Sequence, residues 1–158
     1  YASSAGVYGW WMNPYAITKK VNEIQAPPNS VGMRFFNVWA EEDSRSDMLY
    51  RMLQENTATY LTRHLRDWIH VNDVVSAICC LIPSTVTGSI DIGTGETTSV
   101  LDLAKAMGMD HLPIKEDTPG EPDSLCADTR KLYELGWCPT INILDTVQTN
   151  ASSKLASP

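Results

Sequence analysis

No apolar run in this 158-residue chain approaches the ~20 residues of a membrane span, so no membrane-crossing helix and no membrane partner is expected. The opening residues, "YASSAGVYG", lack the basic flank and long apolar core of a signal peptide. They also lack a methionine, which fits a processed product or part of a longer reading frame. Basic residues are scarce. The 12 Lys and Arg stand against 19 Asp and Glu, for a formal net charge of -7 and a pI of about 4.8. That balance argues against nucleic-acid binding, which needs a basic face. A phosphate-bearing small molecule needs only one or two local arginines and stays allowed.

Cysteine is sparse too. Cys79, Cys80, Cys126 and Cys138 form no CxxC, and adjacent Cys79 and Cys80 make a poor disulfide pair. His64, His70 and His111 show no ligand spacing, so no metal site is expected. The plain reading is reduced, buried thiols in a cytoplasmic protein. There is no internal repeat and no low-complexity tract.

What is present suits one ordinary globular domain: 43% apolar and 20% charged residues. "YASS" reads as a strand end, and "YAITKKVNEI" as a helix stopped by "APPN". "SVGMRFFNVW" reads as one buried strand. "DMLYRMLQEN" reads as a short helix with a Met48, Leu49, Met52, Leu53 stripe. "ATYL" and "HLPIKE" are short-strand candidates. "VNDVVSAICCLI" is a helix capped by Asn72 or Asp73, and "GSIDI" a buried strand. "TTSVLDLAKAMG" is a helix capped by Thr98 or Ser99 and stopped by Gly108; "DTRKLYELGW" is another, and "NILDTVQT" a last turn or two. Strands alternating with helices predict an α/β fold. Residues 1–147 are expected to form the domain, with 148–158 a flexible tail.

Tyr15 and Lys19 stand at i and i+4 in "NPYAITKK", on one helix face. A lysine ammonium favours a neighbouring phenolate, which could then exchange protons with an alcohol near neutral pH. The spacing alone reads more readily as a half-buried tyrosine beside a solvated lysine. Upstream, a strand ending in Ser3 and Ser4 can put a hydroxyl beside the phenol. Serine, tyrosine and lysine together are a kit for oxidising an alcohol by hydride transfer to a nicotinamide. "GTGETT" after "GSIDI" is tempting as a dinucleotide-binding loop. However, it lacks the third glycine and the acidic residue on a following strand, so it reads as a tight strand-to-helix turn.

Six blocks, "YASSAGVYG", "NPYAITKKVNE", "VGMRFFNVWA", "RDWIHVNDVVSAI", "IDIGTGETTSVLDLAKAM" and "PGEPDSLCADTRKLYELGW", come in the order of similar blocks in one family. The chain resembles the C-terminal part of the NAD-dependent epimerase/dehydratase family, the extended short-chain dehydrogenases that act on nucleotide sugars. The resemblance runs to about Val147. It implies the C-terminal part of a Rossmann-type parallel sheet plus a small substrate-binding α/β region, with a catalytic segment over 1–40 and a substrate-binding region over about 41–147. The N-terminal dinucleotide-binding half, with its Gly-rich turn, is absent from the sequence.

By the same resemblance Ser4, Tyr15 and Lys19 are the catalytic residues. Tyr15, Lys19 and Phe35 lie against the cofactor NAD, and Asn37 and Arg66 bind the diphosphate of a nucleotide-diphosphate sugar. On residue chemistry alone, Arg66 also fits a surface ion pair with Asp67 or another carboxylate. Ala5 and Gly6 stand where dehydratase and decarboxylase branches commonly carry acids, which points to an epimerase, an isomerase of carbohydrate metabolism. The departures are a short connection between "VYG" and "NPY", a tyrosine helix cut by Pro27 and Pro28, and Thr118 near the place of an arginine. The implied partner is a homodimer mate or a complementing N-terminal segment. The runner-up is a non-catalytic module that binds a nucleotide sugar.

Overall fold

The computed structural model describes residues 1–41, 43, 45–116 and 119–155, with side chains described as far as Ala151. Thr118, expected near the place of an arginine, lies outside them.

Strand β1 (Ala2–Ser4) leads into a 3-10 segment, Ala5–Met12, interrupted at Gly9. Helix α1 (Pro14–Gln25) follows at once. Asn13 caps it by accepting from Ala16 N at 2.9 Å, and Pro14 in the first turn sacrifices no helical hydrogen bond. The helix ends before Pro27 and Pro28, as the sequence requires.

Strand β2 (Val31–Phe35) pairs in parallel with β1 on one side and β6 (Gly88–Ile92) on the other, giving the order β1-β2-β6. The expected single strand through "SVGMRFFNVW" is instead two. Phe36 N still donates to Ile92 O at 3.1 Å, but Asn37 N donates to Asp67 O at 3.0 Å. The chain thus changes partner, and β3 (Asn37–Trp39) joins β5 (Trp68–His70) in a second parallel pair. A third small sheet has β4 (Leu65–Arg66) between antiparallel β7 (Thr98–Ser99) and parallel β8 (Ser124–Leu125). This is the α/β arrangement of a partial Rossmann-type sheet with a small α/β addition.

Helices α2 (Met48–Gln54), α3 (Val71–Leu81), α4 (Val100–Ala106), α5 (Arg130–Glu134) and α6 (Ile143–Leu155) complete the chain. One apolar cluster joins Trp39, Leu53, Trp68, Leu103 and Ile143; a second joins Ile69, Ala77, Ile90, Ile92 and Leu132. Burial of these side chains supplies the main drive to fold.

Several expectations are corrected. In α2 the stripe holds at Leu49, Met52 and Leu53, which pack on the first cluster, but Met48 is exposed and Tyr50 is buried, its ring on Trp39 at 5.3 Å. His70 caps α3 in place of Asn72 or Asp73: its Nδ1 accepts from Asn72 N at 3.2 Å. "ATYL" and "HLPIKE" meet in the single bridge Leu61–Ile114, since Pro113 has no N–H to extend the ladder. Three of the four thiols, Cys79, Cys126 and Cys138, are exposed, and Cys80 is half-buried. Buried thiols were the wrong expectation, because α3 turns Val74, Ala77 and Leu81 inward and leaves Cys79 outside. Helix α6 runs on through 148 to Leu155. Among the described residues, no helix is long and apolar enough to cross a membrane.

Candidate active site

The C-terminal ends of parallel strands open onto the site, as in other open α/β sheets. Ser4 ends β1 and is the register partner of Phe35, which ends β2. The Ser4 hydroxyl accepts from Gly6 N at 3.1 Å, which leaves its own proton to be donated. A Cβ on Gly6 would lie 3.4 Å from that hydroxyl and 3.6 Å from Ala16 Cβ. The chain after Ser4 therefore lies against the first turn of α1, the turn that carries Tyr15.

Tyr15 is 58% exposed. Lys19 Nζ sits 5.6 Å from the centre of its ring and donates to Ala2 O at 3.4 Å. The lysine thus spans from the tyrosine helix to the strand bearing Ser4. Ser4 and Phe35 share the C-terminal end of one sheet, and Lys19 meets the same sheet at Ala2, the start of β1.

A network of ion pairs and hydrogen bonds ties these elements together. Glu23, one turn beyond Lys19 on α1, takes both arms of the Arg34 fork at 2.7 and 2.8 Å and the Ser3 hydroxyl at 2.7 Å. One carboxylate therefore ties α1 to β1 and β2. Burial opposes the charge on Glu23, but the Arg34 and Ser3 bonds overcome it and hold the carboxyl below its ordinary range. Arg34 also donates to the Tyr8 hydroxyl at 3.0 Å, which donates to Asp91 at 2.7 Å. Burial, then the Asp91 carboxylate, push the Tyr8 phenol up to about 12. The spacing Tyr15, Lys19, Glu23 is the signal that could have marked Glu23 as a third member of the stripe.

Asn37 and Arg66 form a second group. Asn37 Nδ2 donates to Asp47 Oδ2 at 2.9 Å, and Asp47 caps α2. The Arg66 side chain is only 9% exposed. Its Nη1 donates to the carbonyls of Leu65, Pro122 and Asp123 at 3.1, 2.8 and 3.4 Å. Its Nη2 meets His64 Nδ1 at 2.7 Å and Glu121 Oε2 at 3.3 Å. Burial lowers the pKa of Arg66, opposed by the charges of Glu121, Asp47 and Asp123. The ion pair that residue chemistry allowed is made with Glu121, not with the neighbouring Asp67.

Asp67 has a different task. Its Oδ1 accepts from Thr94 N and Thr94 Oγ1 at 2.7 and 2.8 Å, and its Oδ2 from Gly95 N and Ala127 N at 2.9 and 3.1 Å. The amides of the "GTGETT" turn are consumed inside the protein. It is a strand-to-helix turn with no free N–H cradle at these amides for a phosphate, as its sequence indicated. A Cβ on Gly93 would come within 2.7 Å of that carboxylate, which explains the first glycine; Gly95 has φ +82°.

No protein-family model matches the chain. Among solved structures the fold recurs in an NAD-dependent NDP-hexosamine 5,6-dehydratase, TunA, with TM-score 0.74 and 20% identity over 99% of this chain and 63% of that one. It recurs in the UDP-glucose 4-epimerase of Thermus thermophilus, solved with NAD, with TM-score 0.70 and 19% identity over 94% of this chain and 60% of that one. The fold is therefore that of the NAD-dependent epimerase/dehydratase proteins. In sequence the chain is similar to the ADP-L-glycero-D-manno-heptose-6-epimerase of Brachyspira hyodysenteriae, at 25% identity over 87% of this chain and 56% of the relative. The family resemblance carried by the six blocks is borne out, and the chain spans a little over half the length of that curated relative.

Proposed function

We propose that this chain is the catalytic and substrate-binding portion of an NAD-dependent nucleotide-sugar epimerase. The observation that supports the reading is Lys19 standing 5.6 Å from the centre of the Tyr15 ring while bonding the Ala2 carbonyl of β1, the strand that ends in Ser4. Tyr15 takes the proton of a sugar hydroxyl, and the Ser4 hydroxyl orients that oxygen. The Lys19 ammonium, 5.6 Å from the centre of that ring, offers donors to a ribose. NAD, when bound, supplies the hydride acceptor and is regenerated when the hydride returns to the sugar. Tyr15 then gives the proton back to the inverted alcohol. Ala5 is buried and Gly6 has no side chain, so neither supplies the extra acid or base that elimination needs. That favours epimerisation over dehydration.

The residues present fit the nicotinamide end of NAD: Phe35 ends β2 beside Ser4, and Tyr15 is open to solvent. They do not supply the pyrophosphate end, because Asp67 occupies the amides of the GxG turn. We assign that end to a complementing N-terminal segment; a homodimer mate, having the same sequence, would not supply it. Asn37 and Arg66 are assigned to the diphosphate of the sugar nucleotide. A second reading, a nucleotide-sugar-binding module without catalysis, draws its support from the same occupied turn.

Native mass spectrometry with NAD and UDP-glucose, followed by an epimerisation assay on any NAD-retaining assembly, separates the two. The enzyme reading expects NAD in the assembly and turnover that Tyr15→Phe lowers by at least about 100-fold. Because Tyr15 is exposed, the melting temperature should hold. Full turnover by Tyr15→Phe refutes the assigned role. UDP-glucose bound without NAD supports the module, and binding of neither refutes both.

A further inference from the structure

Arg66 has nothing to spare on its two terminal nitrogens. Three backbone carbonyls share Nη1, and His64 and Glu121 share Nη2. A phosphate can reach this guanidinium only by displacing one of these partners. The carbonyls of Pro122 and Asp123 are poor candidates. They belong to a segment pinned to β4, with Leu65 N donating to Asp123 O at 2.9 Å and Asp67 N to Leu125 O at 3.1 Å. His64 is itself buried. Glu121 differs from them all: its side chain is 60% exposed, its contact with Arg66 is long at 3.3 Å, and it is negatively charged.

We propose that the Glu121 carboxylate is an internal anion that holds the phosphate position on Arg66 until a ligand displaces it. The proposal rests on the assignment of Arg66 to an anionic ligand. Glu121 weakens binding twice, first by competing for Nη2 and then by repelling the incoming anion. Its apparent effect is the fraction of molecules in which the position is already free.

The same loop reaches the tyrosine helix. Asn13, the cap of α1, donates Nδ2 to Gly120 O at 3.1 Å and accepts from Ala16 N at 2.9 Å. Gly120 has φ +86°, and a Cβ there would press on Met12 O at 3.2 Å. Glu121 thus stands one residue from the contact that bonds this loop to the cap beside Tyr15. Its release on anion arrival is expected to be felt at the start of α1 through Gly120 and Asn13.

Titration of the chain with inorganic pyrophosphate, followed by calorimetry and by amide NMR, tests this. Glu121→Gln keeps the size and removes the charge. It is expected to bind pyrophosphate roughly five-fold more tightly than the native chain, the scale of one exposed ion pair. Arg66→Met should lose the binding, and the Ala16 amide signal should shift as the native chain saturates. Equal or weaker binding by Glu121→Gln overturns the displacement, while the anion site stands. No binding by either protein, or unchanged binding by Arg66→Met, overturns the anion assignment of Arg66 and the displacement with it. A silent Ala16 amide overturns the link to α1.

Discussion

Asp67→Asn exchanges one buried carboxylate oxygen for an NH2 group at a side chain with 0% exposure. The native carboxylate accepts four hydrogen bonds, two on each oxygen. With the NH2 on the Oδ2 side, the N–H groups of Gly95 and Ala127 face a donor. Flipped, the Thr94 N–H faces the donor, while the Thr94 hydroxyl can accept from the NH2 and donate to Glu96 O, 3.1 Å away. The flipped form is therefore favoured and leaves one donor unsatisfied, at about 1–3 kcal/mol. Relief of the carboxylate's burial, which pushes its pKa up, offsets part of the loss. A net loss of about 1–2 kcal/mol is expected, a sizeable share of the ~5–15 kcal/mol typical of a domain. Urea unfolding at neutral pH should show it as a fall in midpoint of about 0.5–1 M, taking a slope of about 2 kcal/mol per M. Hydrogen exchange should quicken at Thr94. A midpoint within about 0.3 M of native would refute the reasoning, since it would mean that other contacts hold the turn.

Two further outcomes follow from neighbouring contacts. Gly93→Ala should destabilise by about 1–3 kcal/mol, because its methyl would meet Ala127 Cβ and the Asp67 carboxylate; an unchanged melting temperature would count against that packing. Glu23→Gln should lower stability by roughly 1–3 kcal/mol at neutral pH. The folded carboxyl lies below its ordinary range, so its contribution is full above the unfolded pKa near ~4.3 and is lost as pH falls through the lower folded value. The gap between native chain and variant should therefore close toward pH ~3. A gap independent of pH would show that the Arg34 pair contributes little.

The tyrosine and lysine could be read from the chain because helix geometry is local. Any helix over Pro14–Gln25 puts positions 15 and 19 on one face, and Pro27 and Pro28 must end it. The α/β class was legible for the same reason, since alternating apolar patterns record which face each element buries. The character of the GxG turn was legible from its missing third glycine.

Other features depend on partners remote in sequence. Whether "RFFNV" continues as one strand depended on Asp67 and Ile92 competing for consecutive amides of that stretch. The role of Asp67 depended on a turn 27 residues later and on Ala127, 60 residues away. For Arg66 the resemblance implied a diphosphate and residue chemistry allowed an ion pair; folding surrounded it with the carbonyls and one carboxylate of a loop more than 50 residues downstream. Local periodicity therefore determined by itself where the elements lie and that Tyr15 and Lys19 share a face. Only the tertiary structure decided which polar groups are already satisfied, because a buried donor or acceptor takes whatever partner the fold brings within ~3 Å, regardless of distance along the chain.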